Sequence, residues 1–235
     1  MKKTVITIAA IVVATIAAAQ NEPPKLKSTP DQPILMVGDS MMRLLAIEFE
    51  RSFRKLNLTA ASFSSLGSGL IRLDAFDWFG KIDDLITTHH PKTIVVTLGA
   101  NDNQALLSDE GNTIPPGTTL WDDAYTARLG KVMDTFAANG VTRVIWILLP
   151  DMQAPAHQRY AEHFNTLLTN AAATRDFVIL YDPRPPLSRR AKTGYAATVI
   201  TPEGRAVQVR SADGIHLSRE GAQRVAADVI KEYWN

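Results

Sequence analysis

The sequence predicts a three-layer α/β/α sandwich around a central five-stranded parallel sheet, and three observations predict it. From residue 34 onward, short apolar runs alternate with longer amphipathic stretches, the order expected of strands joined by crossover helices. The first run, Ile34-Leu35-Met36-Val37, is apolar at every position, as a strand buried on both faces must be. The chain has 235 residues, 46% of them hydrophobic, which suffices for one well-cored domain and does not demand two.

Taken in order, the elements begin after a distinct N-terminus. Lys2 and Lys3 precede an apolar stretch from Val5 to Ala19, and Ala17-Ala18-Ala19 form a small-residue cleavage site. Residues 1–19 therefore read as a secretory signal peptide. The competing reading is an uncleaved membrane anchor, but the stretch is short for a bilayer span. After cleavage no stable span remains. Residues 20–33 are polar and proline-rich and read as a disordered spacer, which leaves 34–235 as the domain. The first strand, 34–38, meets Gly38, whose freedom of backbone angle allows a sharp turn. A helix over 41–55 follows. The second strand, 59–63, leads through a glycine- and serine-rich loop to a helix over 75–88. His89-His90 ends that helix, where a cationic side chain suits the helix dipole. The third strand, 93–98, precedes a long polar loop, SDEGNTIPPGTT (108–119). The helix over 120–138 opens with Thr119-x-x-Asp122, a capping-box spacing, and stops at Gly140. A strand over 141–148, a helix over 155–173 and a strand over 177–181 complete the alternation. In the segment 184–212, ATVITPEGRAVQV alternates around Pro202-Glu203-Gly204 and predicts a small β-hairpin. A last helix covers 218–233.

Composition excludes several classes of function. The net charge is +1 with no long basic run, which argues against nucleic acid as a partner. There is no cysteine, so there is no disulfide and no lipoprotein attachment site. A cysteine-free domain exported to a bacterial periplasm is held by its core alone. Five scattered histidines without cysteine do not suggest a zinc set, and no metal or other cofactor is expected. His157 and His163 lie off the Tyr160-Phe164-Leu167-Ala171 stripe and read as solvated.

Four short pieces remain: Gly38-Asp39-Ser40, Leu66-Gly67-Ser68-Gly69, Gly99-Ala100-Asn101-Asp102 and Asp213-Gly214-Ile215-His216. The first three follow strands, which places them along one edge of the sheet. Each has a plain explanation as a turn, and Ser40 could simply cap the following helix. Together they supply what acyl transfer requires. A serine hydroxyl is a poor nucleophile and needs an adjacent base, which His216 can be. The imidazole needs a partner that fixes its tautomer and stabilises its charged form, which Asp213 can be, three residues earlier. A tetrahedral intermediate needs donors aimed at its oxyanion. The N–H groups of Ser40 and Gly69 and the side-chain amide of Asn101 would provide three. Glycine suits the second position because backbone must approach the substrate without a Cβ in the way, with Gly67 two residues away as the alternative.

The set resembles the SGNH hydrolases, also called GDSL-type esterases, whose four blocks supply Ser, Gly, Asn and His in that order. Here they read VGDSM, LGSGL, LGAND and DGIH, and the resemblance spans residue 34 to the C-terminus. It implies a flavodoxin-like sheet with the site at its carboxyl edge, and oxyanion roles for Ser40, Gly69 and Asn101. No G-x-S-x-G elbow is present, which argues against the ordinary α/β-hydrolase fold. GDSMMRLL, SGLIRLDAFDW, GANDNQ and SADGIHLSREG are similar to a periplasmic branch named mainly as a domain of unknown function. That similarity would bring Arg72, Asp77, Trp78 and Gln104 near Ser40. Trp78 also reads as core and Asp77 as a local cap, so Arg72 and Gln104 are the candidates for gripping a polar substrate such as a sugar.

The resulting expectation is an exported, periplasmic serine esterase removing O-linked acyl groups, acetyl foremost, from a cell-envelope glycan or another small ester. An O-acyltransferase would use the same residues with a sugar hydroxyl in place of water. A non-catalytic glycan-binding module is the rival from another class, and retention of Ser40, Asn101, Asp213 and His216 counts against it. A scaffold in an envelope assembly has neither support nor contradiction in the sequence.

Overall fold

The structure, a computed structural model, describes residues 33–108, 111–188 and 194–234. The segment 1–19 expected to be a signal peptide and nearly all of the expected spacer lie outside the described residues.

Five strands form one parallel sheet: β1 (Ile34–Gly38), β2 (Ala60–Ser64), β3 (Thr93–Thr97), β6 (Arg143–Ile147) and β7 (Val178–Tyr181), in the order β2-β1-β3-β6-β7. Two short antiparallel pairs lie outside it, β4 (Leu106–Leu107) with β5 (Thr113–Ile114) and β8 (Thr198–Ile200) with β9 (Ala206–Gln208). The helices are α1 (Met42–Lys55), α2 (Trp78–His89), α3 (Thr119–Ala138), α4 (Pro155–Ala172), the single turn α5 (Arg184–Leu187) and α6 (Arg219–Tyr233). This is the flavodoxin-like sandwich expected from the sequence.

Strand periodicity divides the core in two. Leu35, Val37, Ile94, Val96, Val144 and Trp146 face one layer with side chains of α2, α3 and α4. Ile34, Met36, Val95, Ile145 and Ile147 face the other with side chains of α1 and α6. The alternation follows from the two-residue repeat of a strand, and it explains why β1 is apolar throughout. Residues Ile34 to Val37 are at most 1% exposed. Burying each such side chain contributes about 1.5–3 kcal/mol. The edge strand β2, AASFS, is only partly buried, which keeps an open edge from being uniformly apolar.

Three local expectations change. Thr118, one residue earlier than predicted, caps α3 by accepting from Trp121 N–H, while Asp122 pairs with His163 at 2.8 Å. His163 is thus tied to α3 as well as solvated. The loop after β3 holds the β4–β5 pair, because Leu106 and Ile114 are buried and draw their short strands inward. Finally, Gly38 ends β1 in extended conformation and is absent from the positive-φ glycines. A Cβ there would lie 2.4 Å from Thr97 O, so glycine serves close strand approach and not a turn. The 198–208 hairpin forms as the alternation predicts, and α2 ends at His89 with His90 in the left-handed region.

Candidate active site

In the order β2-β1-β3 the chain steps from β1 to β2 on one side and then crosses back to β3 on the other, so the carboxyl ends of β1 and β3 border the crevice where such sheets take ligands. Asp39 and Ser40 follow β1, residues 65–69 follow β2, and residues 99–102 follow β3. The fourth piece, 213–216, precedes α6, which packs against α1.

Ser40 does not cap α1. Met41 holds that position and makes no side-chain cap bond. The Ser40 hydroxyl instead lies 2.8 Å from His216 Nε2, and His216 Nδ1 lies 2.7 Å from Asp213 Oδ2. These three residues, with Ser40 far in sequence from the other two, form one continuous hydrogen-bonded line. The other Asp213 oxygen accepts from the N–H groups of Ile215 and His216 at 2.8 and 2.9 Å. Burial alone would raise the Asp213 carboxyl. The His216 ring and those two N–H groups outweigh burial and hold it down at about 2, so it is a carboxylate at any working pH.

The candidate oxyanion donors sit on loops that are bonded to one another. Asn101 Nδ2 donates one hydrogen to Ser68 O at 2.9 Å, which orients the amide and leaves its second hydrogen for a ligand. Among the described residues, neither the Ser40 nor the Gly69 N–H has an acceptor. Gly69 is glycine for another reason than the sequence suggests: a Cβ there would sit 2.0 Å from Asp102 Oδ1. The neighbour that excludes a side chain is a protein carboxylate. Gly67 has φ +70° and open space around it, the behaviour of a turn residue.

Two buried aspartates, to which sequence reasoning gave no role, hold these loops together. Asp39 accepts from Met41 N–H at 2.8 Å and Ala100 N–H at 3.1 Å, joining the ends of β1 and β3. Asp102 accepts from Leu70 and Ile71 N–H, both at 3.0 Å, and from the Tyr125 hydroxyl at 2.6 Å. Burial pushes Asp39 up to about 7 despite its two N–H donors. Burial likewise raises Asp102 against its three donors. Tyr160 adds a bond from its hydroxyl to Gly99 O at 2.6 Å. The sequence signal was faint, because an Asp beside Gly or Asn reads as a turn.

The remaining predicted residues divide. Gln104 Nε2 donates to Asn101 O at 2.8 Å, which brings it against the Asn101 backbone. Arg72 is half-exposed and its guanidinium is bound at two points to Asp74. Asp77 caps α2 by accepting from Gly80 N–H. Trp78 is fully buried, and its Nε1 donates to Ser68 Oγ at 3.0 Å. It therefore belongs to the core while propping the residue whose carbonyl orients Asn101. Among the described residues no cluster of His, Cys, Asp and Glu could hold a metal ion.

Sheet order and site together define the class of an SGNH hydrolase fold. Solved structures agree. A candidate SGNH hydrolase from Slackia heliotrinireducens superposes with TM-score 0.57 at 17% identity, covering 86% of this chain and 98% of the other. An alpha/beta hydrolase enzyme from the metagenome of Lake Arreo gives 0.59 at 16%, covering 86% and 94%. A candidate GDSL-like lipase from Parabacteroides merdae gives 0.58 at 14%, covering 89% and 98%. At these identities the likeness establishes the fold. The chain belongs to the family described as "Protein of unknown function (DUF459)", which matches residues 33–232. Among curated proteins none matches.

Proposed function

We propose that this protein is an exported serine esterase that removes O-linked acyl groups, acetyl foremost, from a cell-envelope glycan. The observation that carries the reading is the line Ser40–His216–Asp213, with both hydrogen bonds at 2.8 Å or less. In the first step Ser40 Oγ bonds to the ester carbonyl carbon while His216 Nε2 takes the hydroxyl proton. Asp213 holds the other ring nitrogen and stabilises the imidazolium. The carbonyl oxygen becomes an oxyanion between Ser40 N–H, Gly69 N–H and the Asn101 amide. Collapse breaks the ester bond, and the departing sugar oxygen takes the proton back from His216. Water then gives His216 a proton and attacks acyl-Ser40; the acyl–oxygen bond breaks, Ser40 Oγ takes the proton back from His216, and a carboxylic acid leaves. No step requires a cofactor.

Support for a bulky glycan comes from the exposure of the line, since the side chains of His216 and Asp213 are 37% and 46% exposed. An ester presented on a polymer can reach such a site without entering a tunnel. Arg72, three residues beyond Gly69, and Gln104, beside Asn101, are assigned to the polar part of that substrate. Periplasmic placement rests on the signal-peptide reading of residues 1–19. The test is incubation of purified protein with O-acetylated envelope polysaccharide, with and without an added oligosaccharide acceptor. Acetate released into water is expected. Acetyl transferred chiefly to the acceptor would make the protein an acyltransferase, and neither product would remove the esterase reading.

A further inference from the structure

Arg210 is 2% exposed, and among the described residues no carboxylate lies within ion-pair distance of it. Its guanidinium spans two loops. Nη1 donates to Asp151 O in the loop after β6, while Nη2 donates to Ile215 O, and Nε reaches His216 O at 3.4 Å. Nη2 also meets Met152 Sδ at 3.5 Å, and the cation lies 5.2 Å from the Tyr195 ring centroid. Every strong acceptor is a neutral backbone carbonyl. Burying a cation with no carboxylate in ion-pair contact is costly, and burial lowers the guanidinium below its ordinary range against the attraction of Tyr195, Asp151 and Asp213. An apolar side chain of similar volume would leave these carbonyls without that donor. Arg210 is instead spent on the two carbonyls at the end of the 213–216 turn.

We propose that Arg210 is a positioning residue that fixes His216 in line with Ser40 by clamping the Ile215 and His216 carbonyls to the loop after β6. The same loop reinforces the clamp directly, where Gln153 N–H donates to Gly214 O at 3.1 Å. Asp213 orients the imidazole ring, but its own position depends on the same turn. Ser211 N–H donates to His216 O at 2.8 Å, which closes the turn locally but does not anchor it to the rest of the molecule. The planar fork of arginine reaches both loops at once, whereas a lysine offers a single point. The proposal rests on the esterase reading for its kinetic consequence, and on geometry alone for the position of His216.

The experiment compares wild type with Arg210→Lys and Arg210→Gln by acetyl-ester kinetics and by the NMR signal of the His216 Nδ1 proton. Arg210→Gln is expected to lose at least about tenfold in kcat with KM within about twofold, and to broaden or lose the Nδ1 proton signal. Arg210→Lys is expected to recover part of both. Folded variants with wild-type kcat and an unchanged Nδ1 signal would overturn the proposal. Failure of Arg210→Lys to fold cooperatively would overturn it too, by making the side chain a requirement of the fold. If wild type turns over no ester, the esterase reading falls, and the Nδ1 signal alone then decides the positioning role.

Discussion

At the scale of residues, the site divides into groups that react and groups that aim them. In the proposed mechanism Asn101 faces the place where charge develops, with one amide hydrogen already fixed on Ser68 O. Its contribution therefore belongs to the transition state. Asn101→Ala is expected to lower kcat by about 10²–10³ with little change in KM; a change confined to KM would assign it to ground-state binding. Asp213 differs, because it acts through the ring of His216. Asp213→Asn removes the charge and lets the imidazole take the wrong tautomer. A fall in kcat/KM on the order of 10³-fold or more is expected, measured above neutral pH so that protonation of the base does not intrude. An unchanged rate would leave His216 in need of another partner. The candidate residues Ser40, Asn101, Asp213 and His216 were legible in the sequence because each stands in a short motif, after a strand for the first two and before the last helix for the others. The aiming residues were not. Asp39 and Asp102 look like turn residues beside Gly and Asn, and Arg210 looks like a solvated charge, until the fold supplies their donors and acceptors.

At the scale of elements, the site depends on loops from different strands meeting at fixed distances. The contact of Gly69 with Asp102 is the tightest of these, since a Cβ would lie 2.0 Å from the carboxylate. Gly69→Ala is expected to destabilise the protein by about 1–3 kcal/mol and to reduce kcat, as the loop after β2 is pushed from the loop after β3. Denaturant unfolding beside ester kinetics checks both; wild-type stability would mean that the loops yield freely. The same comparison explains what sequence could and could not give. The strands and long helices were visible from periodicity, because core-facing positions repeat at two or 3.6 residues. The pair β4–β5 has two residues per strand, too few to carry a period. The cap of α3 fell on Thr118 because neighbouring threonines compete for one position and only the backbone geometry chooses between them. Strand order is set by pairings between distant segments, and it entered only through the resemblance of the four motifs.

At the scale of the molecule, the cost of the site appears as a dependence of stability on pH. Asp39 is buried where β1 and β3 end, and burial raises its carboxyl to about 7 from an ordinary 3.8. A raised carboxyl favours the protonated form in the folded state. Its contribution is therefore full below about pH 4 and is lost as pH rises through about 7, a difference of up to about 4 kcal/mol. The free energy of unfolding of wild type, less that of Asp39→Asn, is expected to fall over that window. A flat difference would mean that Asp39 is ionised in the folded protein throughout. The molecule thus keeps a carboxyl in its core at the very edge that presents Ser40, beside a second buried carboxyl, Asp102. Such an arrangement serves no obvious need of packing, and it is accounted for if the edge exists to hold a nucleophile and its oxyanion donors. The central claim is that Ser40 is that nucleophile, and the most direct measurement is mass spectrometry of the protein after treatment with a fluorophosphonate. One adduct is expected, on the peptide carrying Ser40, with acetyl-ester turnover lost in proportion and no adduct on Ser40→Ala. Turnover that survives in Ser40→Ala, or an adduct on another serine, would contradict the account.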